Sequence, residues 1–204
     1  MIREPKYIES SAAFDDSGRY RYLLVRRWAP GPHVLWCMLN SSKANAIKPD
    51  PTVTRCLGFT WTWGAPKSDA RDPDPSSFLV PPELGPYEDP ARQCPNFGGF
   101  EVVNMYAYVS PYPEELWKQA DPVGPNNDAA IQSAAKRASL VVVAWGGNAK
   151  TAREREVAAL LRDVGVTPYC LGTTTRGSPL HPFYIRGDTK LQPWALAGGP
   201  LASI

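Results

Sequence analysis

His33-Val34-Leu35-Trp36-Cys37-Met38-Leu39-Asn40-Ser41-Ser42-Lys43 is apolar from Val34 to Leu39 and then turns abruptly polar. An apolar run with no alternation fits a strand buried on both faces, the signature of a parallel sheet. Downstream, Asp50 is placed as the N-cap of a helix with Pro51 at its first position. Val53, Cys56, Leu57 and Trp61 then fall on one face of that helix. A strand that delivers polar groups at its carboxyl end, just before a helix begins, is how open α/β sheets build ligand sites.

The segments on either side fit the same scheme. Residues 7–28 read as a hairpin turning at Asp15-Asp16-Ser17-Gly18, and Pro30-Gly31-Pro32 separates it from the central strand. Phe100–Tyr106 reads as a strand with Asn104 near its end. A short helix around Glu114–Gln119 follows, then an Ala-rich helix ending near Ala138. Leu140-Val141-Val142-Val143-Ala144-Trp145 is the clearest buried parallel strand. Gly146-Gly147-Asn148 leads into a helix with Val157, Leu160, Leu161 and Val164 on one face, closed by Gly165. Thr167–Leu171 is a further strand, and Gly172–Pro182 a polar loop. Residues 65–98 break the pattern with a dense set of prolines and read as an insertion. The expected architecture is one α/β domain over residues 1–204 with a central, mostly parallel sheet.

Composition narrows the classes. Lys plus Arg number 22 and Asp plus Glu 20, a formal net charge of +2, so no bulk electrostatic drive toward nucleic acid exists. Cys37, Cys56, Cys94 and Cys170 show no metal-ligand spacing; buried free thiols in a reducing cytoplasm are expected, and no metal site. No signal peptide and no membrane span is recognisable. Gly146-Gly147 lacks both the Lys-Ser/Thr of a P-loop and the spaced glycines of a dinucleotide fingerprint. ATP and NAD are therefore disfavoured, and no cofactor is expected.

Four strands end in polar groups, and in a parallel sheet their carboxyl ends share one edge. Asn40 and Asn104 each carry a planar amide able to read a nucleobase edge; capping a strand end is their structural alternative. Asp50 is either an N-cap alone or a group that activates water or stabilises a developing cation. His181, in Ser178-Pro179-Leu180-His181-Pro182, is a candidate general acid or anion donor, whereas His33 reads as structural. Lys43, Lys48, Arg55 and Arg176 are candidate phosphate contacts, helped by the helix N-terminus near Thr52. Trp145 is a candidate stacking surface, with core packing as its alternative.

Met38–Asn45, Asp50–Cys56, Trp63-Gly64, Gly98–Ala107, Pro122–Asp128, Ala144–Gly146 and Cys170–Pro182 together resemble a family of phage and bacterial proteins, domain of unknown function number sixteen forty-three. The resemblance spans about residues 10–186. It adds Ser41, Ser42, Asn127, Asp128 and Gly146 to the expected substrate-binding set. Two departures stand out: the family's Asn-Pro-Ser is Asn40-Ser41-Ser42 here, and its Trp-Gly runs almost directly into Gly-Gly-Phe, which makes 65–98 an insertion.

A more distant resemblance is to the uracil-DNA glycosylase superfamily. Leu39-Asn40-Ser41, Val102-Val103-Asn104, Val143–Ala149 and Ser178–Pro182 stand in the order of that superfamily's motifs. It implies a three-layer α/β/α fold and a DNA glycosylase-like hydrolase acting on a base or nucleotide, in the cytoplasm of a bacterium or phage-infected host. Asn104 would then read the base, Asn40 or Asp50 would position water, and His181 would support the leaving group. A non-catalytic nucleotide or nucleic-acid binding module, and a base-modifying transferase in phage DNA hypermodification, are the alternatives on the same scaffold.

Overall fold

The computed structural model describes residues 5–42, 50–64 and 97–195. Lys43, Lys48, Cys94 and nearly all of the Pro-rich segment lie outside them. The chain runs β1 (Glu9–Phe14), β2 (Arg21–Arg27), β3 (His33–Ser41), α1 (Pro51–Gly64), β4 (Gly99–Val109), a 3₁₀ turn (Pro113–Lys118), α2 (Asn127–Arg137), β5 (Leu140–Val143), α3 (Thr151–Asp163), β6 (Tyr169–Cys170), a second 3₁₀ turn (Pro182–Tyr184) and β7 (Gln192–Pro193). The fold is mixed α/β around a seven-stranded sheet in the order β1-β2-β4-β3-β5-β6-β7. β4, β3, β5 and β6 are mutually parallel, and β1, β2 and β7 add antiparallel pairings at the flanks. The sheet is thus less parallel than the α/β alternation implied, because the N-terminal hairpin joins it as an extension of β4.

β3 occupies the middle. Its side chains alternate between two cores, so its whole apolar run is buried. Val34, Trp36 and Met38 pack with Val53, Cys56, Leu57 and Phe59 of α1. Leu35, Cys37 and Leu39 pack on the other face with Ile131 and Ala134 of α2 and with Val157 and Leu161 of α3. Trp36 is fully enclosed, and its indole N–H donates to Thr60 Oγ1 at 3.1 Å, which removes the desolvation cost of that group.

Gly98 and Gly99 fix how closely the hairpin meets β4. A Cβ on Gly98 would stand 2.3 Å from the Ala29 carbonyl oxygen, and one on Gly99 would stand 2.4 Å from that of Arg26. Both contacts are with backbone, so no side chain fits without moving a strand.

Glu101 is buried at the amino end of β4. Its carboxylate receives Arg137 of α2 at 2.6 Å and Arg27 of β2 at 3.1 Å, with His33 Nε2 at 3.5 Å. This confirms a structural place for His33, in an ion cluster away from the carboxyl edge of the sheet.

Cys37, Cys56 and Cys170 are free, buried thiols. Burial pushes Cys37 up to about 12 and Cys56 well above its ordinary value. Since thiolate is the nucleophile, neither should react with a thiol reagent in the native protein. Peptide mapping after labelling checks this: both cysteines are expected to stay unmodified until denaturant is added, and labelling in the folded state would contradict their burial.

Candidate active site

Taken in chain order, the four parallel strands stand second, first, third, fourth. The connection leaving β3 crosses through α1 on one face, and that leaving β5 crosses through α3 on the other. Between the carboxyl ends of β3 and β5 the connections diverge, and such a switch point is where open α/β sheets hold ligands.

Asp50 lies on the β3 side of this crevice. Its Oδ1 accepts the Val53 N–H at 2.8 Å, capping α1, and its Oδ2 accepts the Ser42 hydroxyl. The carboxylate bears electrostatically on His181 and on Arg21.

His181 reaches the same place from the loop after β6. Gly146 turns the chain after β5 at φ +77°, and its N–H donates to the Pro179 carbonyl at 2.9 Å. A Cβ on Gly146 would lie 3.3 Å from the His181 Cβ, so the glycine sets how near the His181 loop comes to β5. His181 Nδ1 accepts the Phe183 N–H at 3.2 Å. An accepting ring nitrogen carries no proton, so the neutral imidazole is protonated on Nε2. Burial lowers the pKa of His181 below its ordinary value, against an opposing pull from Asp50. The pair is therefore a carboxylate beside a neutral N–H donor.

Arg21 of β2 completes the cluster, and nothing in its sequence context pointed to it beyond an arginine inside a strand pattern. It is buried, and its Nη1 donates to the Ser42 carbonyl at 3.4 Å. Burial pulls its guanidinium down to about 10, with Asp50 working in the opposite direction. The group stays cationic at neutral pH and balances Asp50.

Ser41 and Asn104 continue inward. The Ser41 hydroxyl donates to the Arg21 carbonyl at 3.1 Å and accepts Asn104 Nδ2 at 2.9 Å. A proline at this position, as the family pattern has it, offers neither bond. Asn104 does not end a strand: β4 continues to Val109, and the side chain is only 1% exposed. The strand persists because Asn127 Nδ2 binds the Asn104 and Met105 carbonyls at 2.9 and 3.0 Å. Asn104 Oδ1 is buried with no hydrogen-bond partner among the described residues.

The other expected site residues serve the scaffold. Asn40 donates to the Ser110 carbonyl at 2.8 Å, tying the end of β3 to the end of β4. Asn127 is the bracket just described, and Asp128 pairs with the buried Arg153. Trp145 is 1% exposed, bonds Glu154 at 2.7 Å and packs edge-on against Trp194, so it presents no stacking surface. Arg55 donates from Nε to the Pro182 carbonyl at 3.2 Å and from Nη2 to that of Ile185. Arg176 donates to the Gly147 carbonyl at 3.0 Å. These bonds to backbone oxygens could not be read from the sequence, in which both arginines show only as charges. Thr52 lies in the first turn of α1, half-buried. Among the described residues no three His, Cys, Asp or Glu side chains gather as a metal site would require, and no helix is long and apolar enough to cross a membrane.

Both histidines sit below their ordinary value of 6.5, chiefly through burial. His33 faces Glu101, which raises it, and Arg27 and Arg137, which lower it. With folded values depressed, the stability is whole above about 6.5 and is lost as pH falls through the folded values. The melting temperature is expected to drop between about pH 7 and 5, and less steeply in His33→Gln. A flat profile would show that neither histidine is desolvated.

A scan against protein families matches residues 21–69 and 88–183 to the model described as "Protein of unknown function (DUF1643)". The match is interrupted within the Pro-rich segment. No curated protein and no solved structure matches the chain. The chain belongs to the DUF1643 family.

Proposed function

We propose that this protein is a hydrolase that cleaves the N-glycosidic bond of a nucleobase, most concretely a modified base in DNA, on a three-layer scaffold of the uracil-DNA glycosylase kind. One observation carries the reading: at the switch point, the Asp50 carboxylate bears on His181, whose neutral ring holds its proton on Nε2. A hydrogen-bond donor for a departing base anion, beside a carboxylate for the sugar and the attacking water, is the complement for breaking an N-glycosidic bond. The motif order also supports it: Ser41 bonds Asn104 at the ends and interior of β3 and β4, and Gly146 after β5 lies against His181.

In the step we envisage, the bond from C1′ to the base nitrogen breaks and its electron pair leaves with the base. The His181 Nε2–H donates a hydrogen bond to the departing base, which leaves as the anion and takes its proton from solvent. The Asp50 carboxylate stabilises the cationic character at the sugar and takes a proton from the water that adds to C1′. Products are the free base and the sugar hydroxyl. Arg21 and Ser42 act as positioning residues, holding the carboxylate where the charge develops. Asn104 Oδ1 is the acceptor left for a base N–H, and a base in duplex DNA must first be flipped out. The buried free thiols suit a reducing cytoplasm.

The test is incubation with DNA and with nucleosides carrying normal, uracil and hypermodified bases, followed by mass analysis of what is released. Release of a free base from at least one substrate is expected. Binding without any mass change would contradict hydrolysis and favour the binding-module alternative; mass added to a base would favour the transferase.

A further inference from the structure

Among the described residues six large apolar side chains are exposed. Ile8 and Phe14 belong to the N-terminal hairpin. The other four, Tyr112, Trp117, Phe183 and Tyr184, all lie on segments that leave the carboxyl ends of β4 and β6. Isolated exposed apolar side chains are ordinary, but their concentration on one edge marks an interaction surface.

Phe183 and Tyr184 follow His181 directly. They are 46% and 85% exposed, with ring centroids 5.1 Å apart and planes at 82°. Their 3₁₀ turn is pinned to α1 at both ends by Arg55, through the Pro182 and Ile185 carbonyls, and the Phe183 N–H is held by His181. The two rings are therefore kept in water by a fixed backbone rather than left there by a loose one. Across the crevice, Lys150 stands 4.4 Å from the centroid of Trp117. Exposed cations at Lys118, Lys150, Arg176, Arg186 and Lys190 outnumber the exposed carboxylates Glu114, Asp121 and Asp188 by two.

We propose that this aromatic edge binds a single nucleic-acid strand, its bases stacking on Phe183 and Tyr184 beside His181. The inference rests on the nucleobase reading above and names the substrate class as a strand rather than a free nucleotide. Aromatic stacking on unpaired bases tolerates any sequence, because every base has a π face. With a cationic excess of only two on these segments, stacking supplies most of the binding and the salt dependence is shallow.

Fluorescence anisotropy with a labelled oligodeoxythymidylate of about 12 nucleotides tests this. The wild-type protein is expected to bind the strand more tightly than deoxythymidine monophosphate. Phe183→Ala/Tyr184→Ala should weaken strand binding about tenfold or more, while Tyr184→Phe binds as wild type. Both variants alter exposed rings, so an unchanged melting temperature certifies the fold. Equal strand affinity in the double alanine variant would overturn the proposal, as would a wild-type protein that binds the monophosphate but not the strand. Base release from free nucleosides without strand binding would overturn it and leave the hydrolase reading standing. Strand binding lost in the alanine variant, without base release on any substrate, would support it and sink the hydrolase reading instead.

Discussion

Asp50→Asn is expected to reduce base release by about 100- to 10,000-fold, the range that a positioned acid or base contributes, while the cap on α1 is kept. The two effects separate because Asp50 holds two bonds with two oxygens. Oδ1 caps α1 through Val53, and asparagine caps a helix about as well as aspartate. The loss in stability is then electrostatic: the favourable meeting of a negative charge with the helix N-terminus, less than about 1 kcal/mol, and the counter-charge to the buried Arg21. The chemistry loses more: the charge that bears on His181 and Arg21 disappears, and an amide cannot take a proton from water. Asp50→Ala should add the cost of the cap, about 1 kcal/mol, without slowing release much further. Denaturant titrations beside release rates measure both. If Asp50→Asn released base at the wild-type rate, Asp50 would be a cap and nothing more.

The largest loss of stability is expected at the opposite end of the sheet. Glu101→Ala removes one buried carboxylate and leaves Arg27, Arg137 and His33 facing one another. Breaking a buried ion pair from one side costs about 3–5 kcal/mol, because the remaining charge stays desolvated. Both arginines keep some contact with water, so about 3 kcal/mol is expected here, roughly 6–12 °C in melting temperature for a chain of this size. Glu101→Gln should fall between, since the amide still accepts one hydrogen bond. Calorimetry at neutral pH decides it. Base release measured well below the melting temperature should be unchanged, because the cluster sits at the amino ends of β3 and β4.

How far these two sites could be read from the sequence differs for a physical reason. Local patterns carried the elements: the unbroken apolar run of β3, the valines of β5, the Asp15–Gly18 turn and the Asp50-Pro51 cap all rest on neighbours in sequence. Asp50 and His181 were legible for the same reason, each being a polar residue placed where a strand-to-helix connection or a proline-stiffened loop exposes it. The Glu101 cluster was not, because its members come from β2, β3, β4 and α2 and meet only once the sheet is paired. Arg21 was hidden likewise, being an ordinary strand residue until β2 lies beside β4. Asn104 misled because a polar residue within an apolar run looks like a terminus. Its backbone carbonyl is claimed from 23 residues away by Asn127, which lets the strand run on. Trp145 misled in the opposite sense, since the Glu154 that satisfies its indole arrives on a later helix.

The central claim is that Asp50 and His181 direct water to C1′ as the base departs. Mass analysis of products formed in water enriched in heavy oxygen tests it most directly, comparing the wild-type protein with Asp50→Asn. The account expects the wild type to give a free base of unaltered mass and heavy oxygen on the sugar carbon, with both signals nearly absent in the variant. Heavy oxygen on the base, a base whose mass has grown, or equal yields from the two proteins would contradict it.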